Sequence, residues 1–321
     1  MPLLLDSGAS GKGWSSYAPF FRCKHYGGLL RLGLDDRTDP LTRGTMGHIA
    51  VGHLHIRWML KADGQDPDLY WQPEAAVYEW CTQHPEGWSE YERMIECFRR
   101  YVARNPEPPR AKIIGVERFA QGVIGYLDGQ WGLWALAEGE DPKSPTPRHV
   151  SGKLVQPAPL NCPGHPDHGG NVYITRKWDL VLQDRRSTYI PDWKFKAVDV
   201  NKGTAKKYAM SGEFAVTRIL GAQVFPNFKE AQLNLIQSCD PWALVLNLTV
   251  PATPWRDALF PLHLHQMAHE IAVLERDYPD PHTWMMAQNE VSCIGRYEKD
   301  GCPAMLACMY GKEIAAQLQG R

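Results

Sequence analysis

The sequence predicts an α/β protein: one central mixed sheet flanked by helices. Three observations carry that expectation. Residues 172–196 (VYITRKWDLVLQDRRSTYIPDWKFK) read as two strands rich in β-branched and aromatic residues, joined by the polar turn Asp184-Arg185-Arg186-Ser187. Alternating patterns return at 228–237 and 242–250, joined through Ser238-Cys239-Asp240-Pro241. Helical periodicities fill the stretches around these strands, so helices and antiparallel pairs mix in one chain.

The chain has 321 residues, enough for a sizeable core. Its net charge of −1 gives no global attraction to nucleic acid, so any such contact must come from local patches. No apolar run reaches the length of a membrane span, and the first residues, MPLLLDSGASGKGWSS, lack the features of a secretion signal. Eight cysteines without such a signal point to a reducing, cytoplasmic setting, where metal binding outranks disulfides.

Taken in order, residues 8–13 (GASGKG) lack the spacing of a phosphate loop. Ser15 or Ser16 can cap a short helix through Tyr17, Phe20 and Phe21 to Cys23. A helical pattern opens at Arg43-Gly-Thr-Met-Gly-His48 and runs to about Lys61, carrying His48, His53 and His55. A polar loop follows, then helices over about 73–83 and 89–104. The second of these bears the stripe Tyr91, Met94, Ile95, Phe98 and Val102. Residues 113–120 (IIGVERFA) read as a strand with Glu117 inside it, either facing outward or joining an acidic site. Residues 139–159 are a loop. Cys162, His165 and His168 have a spacing that could serve zinc but lack a fourth partner. Residues 200–208 are basic. Ser211 caps a helix over about 212–223, and an amphipathic helix covers about 262–276.

The hairpin at 172–196 carries the chemistry. A turn centred between Arg185 and Arg186 sets Asp179 opposite Asp192, with Cβ atoms about 5 Å apart. Period-two alternation puts Ile190, Asp192, Lys194 and Lys196 on one face and Tyr189, Pro191, Trp193 and Phe195 on the other. Two ionised carboxylates that close repel unless one is protonated or a cation lies between them. A hard divalent cation such as Mg2+ or Mn2+ suits carboxylate oxygen. Lys194 on the same face can orient a water or meet developing negative charge. In the tail, Cys293, Cys302 and Cys308 sit in a polar stretch and form an incomplete thiolate set for an iron–sulfur cluster or zinc. Cys23 is the best candidate to complete it.

Together these pieces resemble the RecB-type branch of the PD-(D/E)XK nuclease superfamily, which includes phage-encoded exonucleases and CRISPR-associated adaptation nucleases. Gly44-Thr45-x-x-His48 resembles the first motif, whose histidine ligates the metal. Trp178-Asp179 resembles the second, and Pro191-Asp192-Trp193-Lys194 the third. Cys23 with Cys293, Cys302 and Cys308 resembles the iron–sulfur staple of many members, with zinc as the alternative. The resemblance implies a restriction-endonuclease-like core in a single domain over 1–321. It further implies a helical insertion at about 62–110 and cluster elements at about 15–30 and 288–312. It implies a Mg2+- or Mn2+-dependent deoxyribonuclease of a bacterial or phage-infected cell, often acting from DNA ends. His48, Asp179 and Asp192 would hold the metal, Lys194 would be the catalytic lysine, and the cysteines would hold a [4Fe–4S] cluster. Lys196, Lys206, Lys207 and Glu213 are candidates for holding substrate. A catalytically inactive DNA-binding module, or a nuclease subunit working with a recombination or helicase partner, is the alternative. One departure stands out: where members carry Gln-x-x-x-Tyr after the third motif, this chain has Glu213-x-x-x-Thr217.

Overall fold

The computed structural model describes residues 2–5, 12–32, 39–127, 130–143, 145, 149–150, 153–154, 156–196, 208–209, 211–238, 245–281 and 283–284. These fall into two compact units. The first draws on the described residues of Met1–Ser10, Asp39–Ala120 and Arg176–Asp257; the second on those of Gly11–Thr38, Gln121–Thr175 and Ala258–Arg321. Among the described residues no helix is long and apolar enough to cross a membrane.

In chain order the helices are α1 (Trp14–Arg22), α2 (Lys24–Arg31), α3 (Asp39–Ala62), α4 (Pro73–Gln83), α5 (Tyr91–Arg104), α6 (Gly212–Val224) and α7 (Pro254–Asp277). The strands are β1 (Lys112–Leu127), β2 (Gln130–Ala135), β3 (His149–Val150), β4 (Lys153–Leu154), β5 (Gln156–Pro157), β6 (Tyr173–Gln183), β7 (Thr188–Lys196), β8 (Phe228–Gln237) and β9 (Val245–Thr249). The main sheet runs β2-β1-β6-β7-β8-β9. β6 and β7 form the expected antiparallel hairpin, β7 and β8 are parallel, and β8 and β9 are antiparallel. The α/β class and the mixed, helix-flanked sheet are therefore as the sequence predicts.

In the first unit, one face of the sheet buries Leu180, Trp193 and Ile236 against Met46, Ile49 and Ala50 of α3 and Met94, Ile95, Phe98 and Tyr101 of α5. The stripe on α5 is thus core. Pro73 starts α4 at a position where its missing N–H costs nothing. Arg99 of α5 grips Glu74 of α4 through Nε and Nη2 at 2.9 and 2.7 Å. The other sheet face places Ala231, Leu233 and Leu235 of β8 against Phe214 of α6. Ser211 caps α6 as expected, its hydroxyl accepting from the Glu213 N–H at 3.2 Å. Arg218 of α6 holds Asp257 at 2.7 and 2.6 Å.

In the second unit, residues 122–127 of β1 pair antiparallel with β2, and Gly125 and Tyr126 pair with β5. This hairpin carries β1 well past the strand expected over 113–120. A side chain on Gly125 would meet the Gln156 carbonyl oxygen at 2.5 Å, so only glycine admits β5 there. The loop at 160–171 is stitched to α7: His165 Nε2 lies 3.1 Å from Glu275 Oε2, and Arg276 donates to Cys162 Sγ and the Pro163 carbonyl. Cys162 and His165 therefore serve packing, and the spacing read as zinc-like gathers no ligand group among the described residues.

Candidate metal centre

The site grows from three local irregularities. The hairpin keeps the expected register at its turn, pairing Leu182 with Tyr189 and Gln183 with Thr188. Asp184 closes the turn by accepting from the Arg186 and Ser187 N–H groups at 2.8 and 2.7 Å. The regular ladder does not reach Asp179. Arg176 and Trp178 face α6, through Thr217 and Phe225 respectively, whereas Leu180 and Leu182 belong to the core under α3. The alternation of β6 breaks at Asp179, and its Oδ2 accepts the Trp193 N–H at 2.6 Å.

The second irregularity lies in β1. Glu117 has φ of 50°, a left-handed backbone that costs a non-glycine residue about 1–3 kcal/mol. The turn has a visible effect. A Cβ on Gly52 of α3 would lie 4.0 Å from both Val116 Cγ1 and Glu117 Oε1, so these consecutive residues face the same helix. In a regular strand they would face opposite sides.

The third concerns α3 itself. A Cβ on Gly47 would sit 2.5 Å from the Phe195 ring, so glycine is what lets α3 come down onto β7 beside His48. Gly44, the glycine in the expected motif, has nothing within 4 Å of such a Cβ. The His48 ring packs against Phe195 and Trp193, with centroids 5.7 and 6.1 Å away.

These features converge on His48, Glu117 and Asp179. Each offers one ligand atom, and the three atoms lie within 4.8 Å of one another. His48 Nδ1 is 3.6 Å from Asp179 Oδ2 and 4.0 Å from Glu117 Oε1. Glu117 Oε1 is buried without a hydrogen-bond partner. Burial, then the Asp179 charge, push the Glu117 carboxyl well above its usual range, with Lys177 and Arg176 opposing. Two carboxylates and an imidazole fit a hard divalent ion such as Mg2+ or Mn2+, and such an ion would satisfy the orphaned oxygen.

This grouping differs from the expected ligand set: His48 and Asp179 lie together, and the third acid beside them is Glu117 rather than Asp192. Asp192, 1% exposed, points to the α6 face. Its Oδ1 accepts a hydrogen bond from Arg176 Nη2, and its Oδ2 lies 2.7 Å from Lys194 Nζ. Lys194 Nζ also donates to Glu213 Oε1 at 3.0 Å, and Arg176 Nη1 reaches the same oxygen at 3.1 Å. Burial opposes the charge on Lys194, but Asp192, Glu213 and Asp179 outweigh it and raise its pKa. The expected side-by-side pairing of the Asp179 and Asp192 carboxylates is replaced by two adjoining clusters. They share Trp193, whose backbone holds Asp179 while Asp192 and Lys194 flank it.

The remaining candidates divide. Lys196 Nζ lies 5.6 Å over the Tyr208 ring. Lys206, Lys207, Cys293, Cys302 and Cys308 lie outside the described residues. Cys23 is buried, and its Sγ caps α2 by accepting the Tyr26 N–H at 3.5 Å. His53 and His55 are structural. His53 accepts from the Leu5 N–H at 3.0 Å and donates Nδ1–H to the Trp71 carbonyl at 3.1 Å. His55 Nδ1 donates to the Val51 carbonyl at 2.8 Å.

Compared with known proteins, the chain matches no protein-family model and no curated relative. Whatever is inferred about its activity rests on these side chains.

The sequence pattern does not single out Arg176, Thr217 enters it only as a departure from the family motif, and Glu117 has two readings there. The signals were there in part. An acid inside an apolar strand, as in IIGVERFA, needs a partner once that strand is buried. Arg176 precedes Trp178 by one strand period, so the two share a face. Nothing local announced the positive φ at Glu117 or the break at Asp179.

Proposed function

We propose that the protein is a Mg2+- or Mn2+-dependent deoxyribonuclease with a restriction-endonuclease-like core. One observation carries the reading: His48, Glu117 and Asp179, from a helix and two strands far apart in sequence, offer converging ligand atoms within 4.8 Å, with the half-buried Lys194 on the adjoining cluster. His48, Glu117 and Asp179 would hold the ion. When bound, it supplies a water of lowered pKa and neutralises charge on the scissile phosphate. Asp192 and Glu213 keep Lys194 charged and fix its position. Its ammonium then meets the negative charge that develops during attack. Trp193 holds Asp179 through its backbone, so the metal ligands and Lys194 cannot drift apart independently.

The same proposal includes a [4Fe–4S] cluster on Cys23, Cys293, Cys302 and Cys308. Cys23 supports it to the extent that it is a free thiol already receiving an N–H, as cluster sulfurs do.

The test is digestion of labelled single-stranded, double-stranded, end-blocked and circular DNA with and without Mg2+ or Mn2+. Divalent-dependent cleavage is expected, and its loss on end-blocked and circular substrates would mark an exonuclease. Tight DNA binding with no cleavage under any divalent ion would point instead to a non-catalytic binding module.

A further inference from the structure

We propose that Arg176 is a built-in cation occupying the Asp192–Glu213 cluster, so that the protein binds a single divalent ion, at His48, Glu117 and Asp179. The inference rests on the metal reading above and deepens it. Four acidic side chains stand close together here, and a site of that kind invites two metal ions. The geometry points to one. On the Asp192 side each carboxylate is already met by two cations. Lys194 Nζ lies 2.7 Å from Asp192 and 3.0 Å from Glu213, and Arg176 bonds both. On the His48 side, Glu117 Oε1 has no hydrogen-bond donor; on the Asp192 side, Asp192 Oδ2 likewise receives no directed hydrogen bond but is met by the Lys194 charge at 2.7 Å.

Arg176 is also held in place, which a loosely paired surface arginine is not. Nη2 bonds Asp192 Oδ1, Nη1 bonds Glu213 Oε1 at 3.1 Å, and Nε bonds Thr217 Oγ1 at 3.0 Å. The Thr217 hydroxyl in turn donates to the Glu213 carbonyl at 3.0 Å, which fixes its lone pairs toward the guanidinium. Every nitrogen of the planar fork is used, in a pocket where its side chain is 11% exposed. A divalent ion on Asp192 would have to expel this group or lie against it, and two cations repel strongly where water is scarce. Glu213 and Thr217, one helical turn apart on α6, both bond Arg176. Arg176 is a positioning residue: it holds Asp192 out of the metal's coordination and keeps the local charge balanced.

Mn2+ titration of the full chain, followed by electron paramagnetic resonance of free Mn2+, tests this without requiring activity. Wild type should bind one Mn2+ per chain. Asp192→Asn should bind one with affinity within about threefold of wild type, because Asp192 is not a ligand. Arg176→Met, if folded by circular dichroism, should take up a second ion, and Arg176→Lys should not. Two ions in wild type, a tenfold or greater loss of affinity in Asp192→Asn, or a single ion in folded Arg176→Met would overturn the inference while leaving a metal-dependent nuclease standing. No bound Mn2+ in wild type would overturn both.

Discussion

Asp179 Oδ2 accepts the backbone N–H of Trp193 at 2.6 Å, and that bond stands where a regular hairpin would place a ladder hydrogen bond. One side chain thereby takes over backbone pairing between β6 and β7 and turns its carboxylate toward His48 and Glu117. Asp192 and Lys194, on either side of Trp193, are left facing α6. The division of the charged groups into two clusters follows from this contact.

Metal binding should therefore depend on Glu117 as strongly as on Asp179. At Mn2+ about 100-fold above its Kd, wild type should gain about 2.7 kcal/mol of stability. Differential scanning fluorimetry should show that gain lost in Glu117→Gln and in Asp179→Asn. An undiminished Mn2+ shift in Glu117→Gln would remove Glu117 from the ligand set.

Gly47 should tolerate no side chain. Gly47→Ala drives a methyl into the Phe195 ring, and overpacking of that kind costs about 1–3 kcal/mol. Chemical denaturation should show the loss, and a smaller Mn2+ shift should accompany it because His48 is the next residue. Gly44→Ala, with open space around it, should leave the Mn2+ shift unchanged.

Much of this was legible in the sequence, and the reasons differ by element. The α6 cap at Ser211, the start of α4 at Pro73 and the turn at Asp184 are local chemistry, and all three hold. The two faces of β7 follow from strand periodicity, and Trp193 and Asp192 do part as alternation requires. What failed was the step from periodicity to contact. Alternation assumes a regular strand on both sides, and β6 breaks at Asp179 while β1 twists at Glu117. Such breaks belong to long-range packing, and no short window of sequence contains both partners. The role of Arg176 is hidden for the same reason: it depends on α6, far along the chain.

Acid should destabilise the protein through its buried histidines. Burial lowers both His53 and His55 to about 4, against 6.5 for the free side chain. The folded state thus resists protonation that the unfolded state accepts. Their contribution is intact above 6.5 and is lost as pH falls from there toward 4, by a few kcal/mol in all. Protonating His53 would also abolish its acceptance of the Leu5 N–H. Urea midpoints at pH 7.5 and 5 should differ less in His55→Leu than in wild type. Equal pH sensitivity in the two would contradict the assignment.

The cysteine proposal has an independent readout. Anaerobically purified protein should carry stoichiometric iron and absorb near the visible–ultraviolet boundary, and Cys302→Ser or Cys23→Ser should lose both. Folded wild type without iron or zinc would dismiss the cluster and leave Cys23 as a helix cap alone.

The most direct measurement is the rate of Mn2+-dependent DNA cleavage by wild type and Lys194→Ala, with Mn2+ affinity determined for both. Removal of the Lys194 ammonium should lower the rate by about a hundredfold or more while the ion still binds. Equal cleavage rates in the two proteins, or no divalent-dependent cleavage by wild type on any DNA substrate, would contradict the assignment of this site to phosphodiester hydrolysis.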